Sequence, residues 1–251
     1  MPTSSTSRPP ESTRLHWNYF LALEKDMEVL SRYIEFSPDN FNTYSIELAH
    51  LLLSAASEVD TLAKCICSIL DPKAKPENIN EYRRIIKAGE DSENDPYAKG
   101  GKYALLEEEY RHRLSRLKVY VPRYSLEFAP WADWAKDENP DWWHSYNNVK
   151  HERNHYFNKA TLGNALQALA ALLAVNYLYC RLDITKTKPD VRYQYQGKNV
   201  TRHMQPESTL LRFSARFYDN PIAELGGYIS SVSEDVGRLE RHIEDARIDN
   251  E

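Results

Sequence analysis

Between Ala160 and Cys180 the chain carries no charged residue, although 27% of the whole protein is charged. A stretch that long must be covered on every side, by lipid, for which about 20 residues suffice, or by other helices. Thr161, Gly163, Asn164, Gln167 and Asn176 interrupt it, and much of the rest is alanine. Amides are expensive against hydrocarbon, whereas small residues let neighbouring helices come close. The run is therefore read as the central helix of a bundle, with no membrane partner.

Spacing places the other elements. Leu15, Tyr19, Leu23, Met27, Leu30 and Ile34 recur at steps of three and four and predict an amphipathic helix from Arg14 to about Phe36, stopped by Ser37-Pro38. A second helix, apolar over most of its surface, is expected from Asp39 or Asn40 to Leu70, ended by Asp71-Pro72. A short helix around 79–88, a Gly/Asp/Ser/Pro loop over 89–102, a charged helix over 104–117 and an extended segment over 119–128 follow. A helix starts near 141–143, breaks or continues near Phe157, and runs to Leu182. Alternation around Gly197 suggests a β-hairpin over 191–200, and Asn220-Pro221 opens a last helix. The predicted organisation is a disordered Ser/Thr/Pro-rich tail (1–13), an all-α helical domain (14–183), and an extension of β-hairpin and C-terminal helix (184–251).

Composition narrows the function classes. The net charge of −5 excludes a broadly basic surface but not a local basic patch. Three cysteines cannot form a disulfide scaffold and read as free thiols of a cytoplasmic protein. Neither Cys65 nor Cys67 has an electropositive sequence setting, and no G-x-S-x-G, P-loop or G-x-G-x-x-G is present. The tryptophans over 131–143 are expected beneath a loop.

Pro140 to Phe157 reads PDWWHSYNNVKHERNHYF. On one helix, Asn147, Lys150, His151 and Asn154 share a face at i, i+3, i+4 and i+7, and Arg153 lies on the neighbouring one. Lys150, His151, Arg153 and His155 concentrate positive charge on an acidic protein, a setting that suits phosphate. The structural alternative pairs Lys150 or Arg153 with Glu58 or Asp60 of the second helix, as an ion-pair network that fixes helix register. His151 to His155 also matches H-E-x-x-H, the zinc-hydrolase helix. Its cationic neighbours Lys150 and Arg153 and the lack of a third ligand before Asp183 argue for coincidence, so no metal and no cofactor are expected.

Ser45–Cys67, Val121–Trp134 and Trp142–Tyr179, above all W-x-x-Y-N-x-x-K-H-x-R from Trp143 to Arg153, resemble a bacterial group related to the HEPN superfamily (higher eukaryotes and prokaryotes nucleotide-binding domain). The resemblance covers about residues 45–182. It implies a helical bundle, commonly a homodimer whose basic helices meet in a cleft, and for many members metal-independent RNA cleavage in phage-defence or toxin–antitoxin systems, where an antitoxin partner is found. The superfamily motif is arginine, four to six residues, then histidine. Here Arg153 is followed at that distance by Asn158, Lys159 and Ala160, and the nearest substitute is Lys150 with His155.

The resemblance implies His151 or His155 as the group that handles a ribose 2′-hydroxyl proton. Lys150 and Arg153 would stabilise the pentacovalent phosphate, with Asn147 orienting the histidine. Asn147, Lys150, Arg153 and Asn154 are the corresponding phosphate- or nucleotide-binding candidates. The reading from another class is a non-enzymatic module whose basic cluster docks an acidic protein partner or closes an internal ion-pair network.

Overall fold

The computed structural model describes residues 11–90, 114–187 and 198–213. The described chain is mostly helical with one small antiparallel sheet. Its helices are α1 (Glu11–Leu30), α2 (Ile46–Leu70), α3 (Ile79–Glu90), α4 (Asp141–His151), α5 (Arg153–Tyr156), α6 (Leu162–Thr187) and α7 (Lys198–Thr201). Strands β1 (Val119–Val121), β2 (Leu126–Phe128) and β3 (Arg212–Phe213) form a sheet of order β2-β1-β3.

The charge-free run becomes α6, and every residue from Ala168 to Cys180 is buried. It is long and apolar enough to cross a membrane, yet 83% of its most apolar stretch is covered inside the protein. Its Asn176 amide turns back onto the Leu172 carbonyl at 3.0 Å, so the polar side chain is satisfied within its own helix. α2 packs along α6, α1 lies against both, α3 packs on α2, and α4 packs against α2 and α6. Gly163 permits the close entry of α6, because a Cβ there would meet the Phe41 Cβ at 3.2 Å.

Several boundaries differ from the sequence expectation. α1 already contains Glu11, so the expected tail 1–13 loses its last three residues; 1–10 lie outside the described residues. α1 ends at Leu30 and continues as turns. Its buried face is Trp17, Phe20, Leu23, Glu24 and Met27, while Leu15 is 68% exposed. α2 starts at Ile46, where the Ser45 hydroxyl caps the helix by accepting from the Leu48 N–H at 3.1 Å, and Pro38–Asn40 is a separate turn. The extended segment 119–128 is a hairpin, turned at Pro122–Tyr124 with Ser125 left-handed at φ 54°.

The expected C-terminal hairpin over 191–200 lies mostly outside the described residues, and its last three residues, 198–200, are helical in Lys198–Thr201. The charged helix over 104–117 and the last helix after Asn220 also fall largely or wholly outside them. The domain boundary at 183/184 cuts through α6. Val200, Met204, Leu210, Leu211 and Phe213 belong to the same core as the helices, and β3 pairs with β1. This part of the extension is thus an integral layer. Among the described residues the fold is mostly helical with a small three-stranded antiparallel sheet, which the all-α expectation did not include.

Candidate functional site

The basic segment is presented by α4, whose start is set by Pro140 and by Asp141 in the first turn, a favourable place for a carboxylate. Trp142, Trp143, Tyr146 and Val149 are buried. Burial of the tryptophans agrees with expectation: Trp142 donates to the Pro130 carbonyl at 2.8 Å and Trp131 to the Ala171 carbonyl at 3.3 Å. The aromatic anchor leaves the far side of α4 to solvent. Lys150, His151, Arg153, Asn154 and His155 are exposed, and Asn147 is half-buried. The Lys150 ammonium sits 5.2 Å from the centre of the Tyr146 ring.

The expected single face is broken. Glu152 adopts φ −135° and ψ 50°, which ends α4, and the His155 and Tyr156 amides restart a turn by donating to its carbonyl at 2.9 and 3.1 Å. The i, i+3, i+4, i+7 register therefore holds for Asn147, Lys150 and His151 and fails for Asn154. The same break removes the uninterrupted helix that H-E-x-x-H needs. What replaces the face is an exposed bend from Lys150 to Lys159 with a single acid, Glu152. Tyr44, 51% exposed, stands edge-on to Phe157 of this bend at 5.7 Å. Tyr44 bridges Thr161, and the Leu162 amide donates to the Thr43 carbonyl at 2.8 Å, so this ring is held by the entry to α6.

The expected ion-pair network is not formed. Glu58 faces α1, where its carboxylate meets His16 Nδ1 at 2.5 Å. Asp60 takes Lys64 at 2.6 Å and accepts from the Tyr82 hydroxyl of α3 at 3.0 Å. Among the described residues neither carboxylate pairs with Lys150 or Arg153. The second helix offers these acids to α1 and α3, not to the basic bend.

Sequence reasoning missed His16 altogether. Its side chain is 12% exposed, its ring lies edge-on to Tyr179 at 5.4 Å, and its Nδ1 is hydrogen-bonded to the Glu58 carboxylate. The neighbouring Cys65 sulfur and then the Glu58 carboxylate push the His16 pKa up from 6.5 to about 9. The folded chain then holds a proton that an unfolded chain releases near pH 6.5. This part of the stability is fully present below pH 6.5 and is lost as pH rises through 9. We expect the stability difference between wild type and His16→Gln, from urea midpoints, to shrink by about 3 kcal/mol between pH 6 and pH 9.5. A difference independent of pH would show that the imidazole carries no extra proton affinity in the fold.

A cavity of about 550 Å³ opens elsewhere, where the 201–213 segment docks on α1 and α6. Trp17, Leu173 and Phe213 wall it with Arg123 and Arg212, and none of the sequence-derived site residues lines it. No family model matches the chain, and neither curated proteins nor solved structures yield a match.

Proposed function

We propose that this is an RNA- or nucleotide-directed protein with an HEPN-like helical bundle, and that the exposed bend from Lys150 to Lys159 is where it takes phosphate. The observation that carries this reading is the solvent exposure of Lys150, His151, Arg153 and His155 together, with no carboxylate partner among the described residues. Cations committed to the fold are paired, as His16 and Lys64 are. Cations left open on an acidic protein are available to an anionic ligand. The exposed Tyr44 ring, in contact with Phe157 of the bend, adds a flat surface on which a base can stack.

Binding is better supported than cleavage. A catalytic base must be held against its target, and among the described residues neither His151 nor His155 is oriented by a partner, so the ribonuclease arm rests on the resemblance. In that arm one of the two histidines handles the 2′-hydroxyl proton, Lys150 and Arg153 face the phosphate, and a homodimer brings two bends into one cleft.

The test is fluorescence anisotropy of a labelled RNA oligonucleotide across a salt series, with a labelled mononucleotide alongside. The double variant Lys150→Glu/Arg153→Glu is expected to bind RNA at least about tenfold more weakly and to lower the salt slope by roughly 1 to 2, with unchanged thermal stability. Equal binding by wild type and variant would overturn the assignment. A cleavage assay in EDTA, with His151→Ala and His155→Ala, decides whether binding is followed by chemistry. The non-enzymatic alternative, an acidic protein docked on the same bend, is favoured if wild type binds no RNA or nucleotide.

A further inference from the structure

The cavity of about 550 Å³ between the 201–213 segment, α1 and α6 lies within the size range of small-molecule sites. Its floor is apolar and already in place. Trp17, Leu173 and Phe213 form it, and all three are buried. Trp17 stacks on Phe20 at 4.8 Å and donates to the Pro206 carbonyl at 3.0 Å, while Phe213 stands edge-on to Tyr177 at 5.5 Å. A ligand would meet rings that need no further ordering to receive it.

The rim is cationic. Arg123 and Arg212 line it against a single acid, Glu207. Both arginines are exposed, and among the described residues neither forms an ion pair. Arg123 rests 5.4 Å from the centre of the Tyr124 ring, which orients the guanidinium without cancelling its charge. Two of the lining hydroxyls are already used. Ser208 is taken by Glu24 and the Leu211 carbonyl, and Thr209 donates to Glu28 at 2.6 Å. What the lining offers a polar head is chiefly the two guanidinium forks.

We propose that this cavity binds a small amphipathic organic anion, with an apolar ring or chain on Trp17, Leu173 and Phe213 and one carboxylate or phosphate head between Arg123 and Arg212. Shape and charge carry the assignment together. Guanidinium forks match either head, and one negative charge supplies what the rim lacks. No residue of the Lys150–Lys159 bend lines the cavity, so this site stands or falls independently of RNA binding.

The test titrates the full chain with anilinonaphthalene sulfonate, whose aromatic body and anionic group copy both halves of such a ligand, and follows the dye's fluorescence. One dye per chain is expected to bind. Arg123→Gln and Arg212→Gln are each expected to weaken binding, and together by at least about tenfold, with urea midpoints confirming the fold. Lys150→Glu/Arg153→Glu should bind the dye as wild type does. Decanoate and naphthyl phosphate should displace it, and the one effective at lower concentration names the head group. Inorganic phosphate, which lacks the apolar body, should need at least about tenfold more. No binding by wild type would show the cavity filled from within the chain and would overturn the proposal. So would unchanged affinity in the folded double variant, or displacement by inorganic phosphate as readily as by decanoate. Should loss of both arginines loosen the β1–β3 edge, the single variants decide.

Discussion

Replacing Glu24 by Gln is expected to destabilise the protein by about 3 kcal/mol. Glu24 is 2% exposed in the middle of α1, a place where an unpartnered carboxylate would be intolerable. It persists because the 208–211 turn wraps around it. The amides of Thr209, Leu210 and Leu211 donate to its oxygens at 3.1, 3.0 and 3.0 Å, and the Ser208 hydroxyl meets it as well. A nest of N–H donors this close holds a charge and has no use for an NH₂ group. The amide of glutamine would accept through one oxygen and turn its own donors against the remaining N–H groups. Trp17, donating to the Pro206 carbonyl at 3.0 Å, and Glu28, accepting from the Thr209 hydroxyl at 2.6 Å, are further polar ties between α1 and this segment. Loss of the carboxylate should therefore free 198–213 before the helices unfold. The measurement is a urea midpoint together with limited proteolysis of the segment. A shift below about 1 kcal/mol would assign the docking to the apolar contacts of Leu210, Leu211 and Phe213 instead.

That same carboxylate lies where the buried face of α1 departs from the sequence spacing: Leu23 and Met27 are buried and Leu30 and Ile34 pack on the core as the spacing implies, but Leu15 and Tyr19 are exposed. Leu15 and Tyr19 continue an apolar step that includes Leu23 and Met27, but Trp17 and Phe20 bury more area, and stack at 4.8 Å, so the helix turns toward them. A glutamate inside the buried stripe makes the pattern illegible, because its partners come from a turn more than 180 residues away in sequence. α6, by contrast, was legible because an absence of charge over so many turns has few solutions. The Ser45 cap carried a local signal, a serine just before a long apolar run, and could have moved the start of α2.

The break at Glu152 carried no signal of that kind, since neither glycine nor proline is present there. It is imposed by the surroundings: Phe157 is engaged by Tyr44, and the Leu162 amide by Thr43, so the chain must turn before α6. Of the site, the charge of Lys150, His151, Arg153 and His155 was readable from the sequence, but their exposure and their geometry were not. Nothing near His16 in sequence announces Glu58 and Cys65, which reach it only through the packing of α1 on α2.

Trp142→Ala is expected to cost about 4 kcal/mol, the loss for a fully buried aromatic. The ring is 1% exposed and meets Trp131 at 5.3 Å and Trp143 at 5.6 Å, both edge-on, while Trp143 continues the chain of rings to Tyr146 at 5.2 Å. Removing it opens a void and leaves the Pro130 carbonyl without its donor. Trp142→Phe should lose about half as much, since most of the apolar area remains and only the indole N–H is gone. Because Trp142 and Trp143 seat the first turn of α4, the damage travels to Lys150 and His151 at its far end. RNA affinity in the alanine variant should therefore fall in step with stability and recover on cooling toward the temperature of maximum stability. Lys150→Glu/Arg153→Glu should instead lose affinity with stability intact. Urea midpoints and anisotropy titrations on both variants separate a residue that positions the surface from one that touches the ligand. If Trp142→Ala binds RNA normally at half its former stability, the bend holds its shape without α4, and its order comes from the Tyr44–Phe157 side alone.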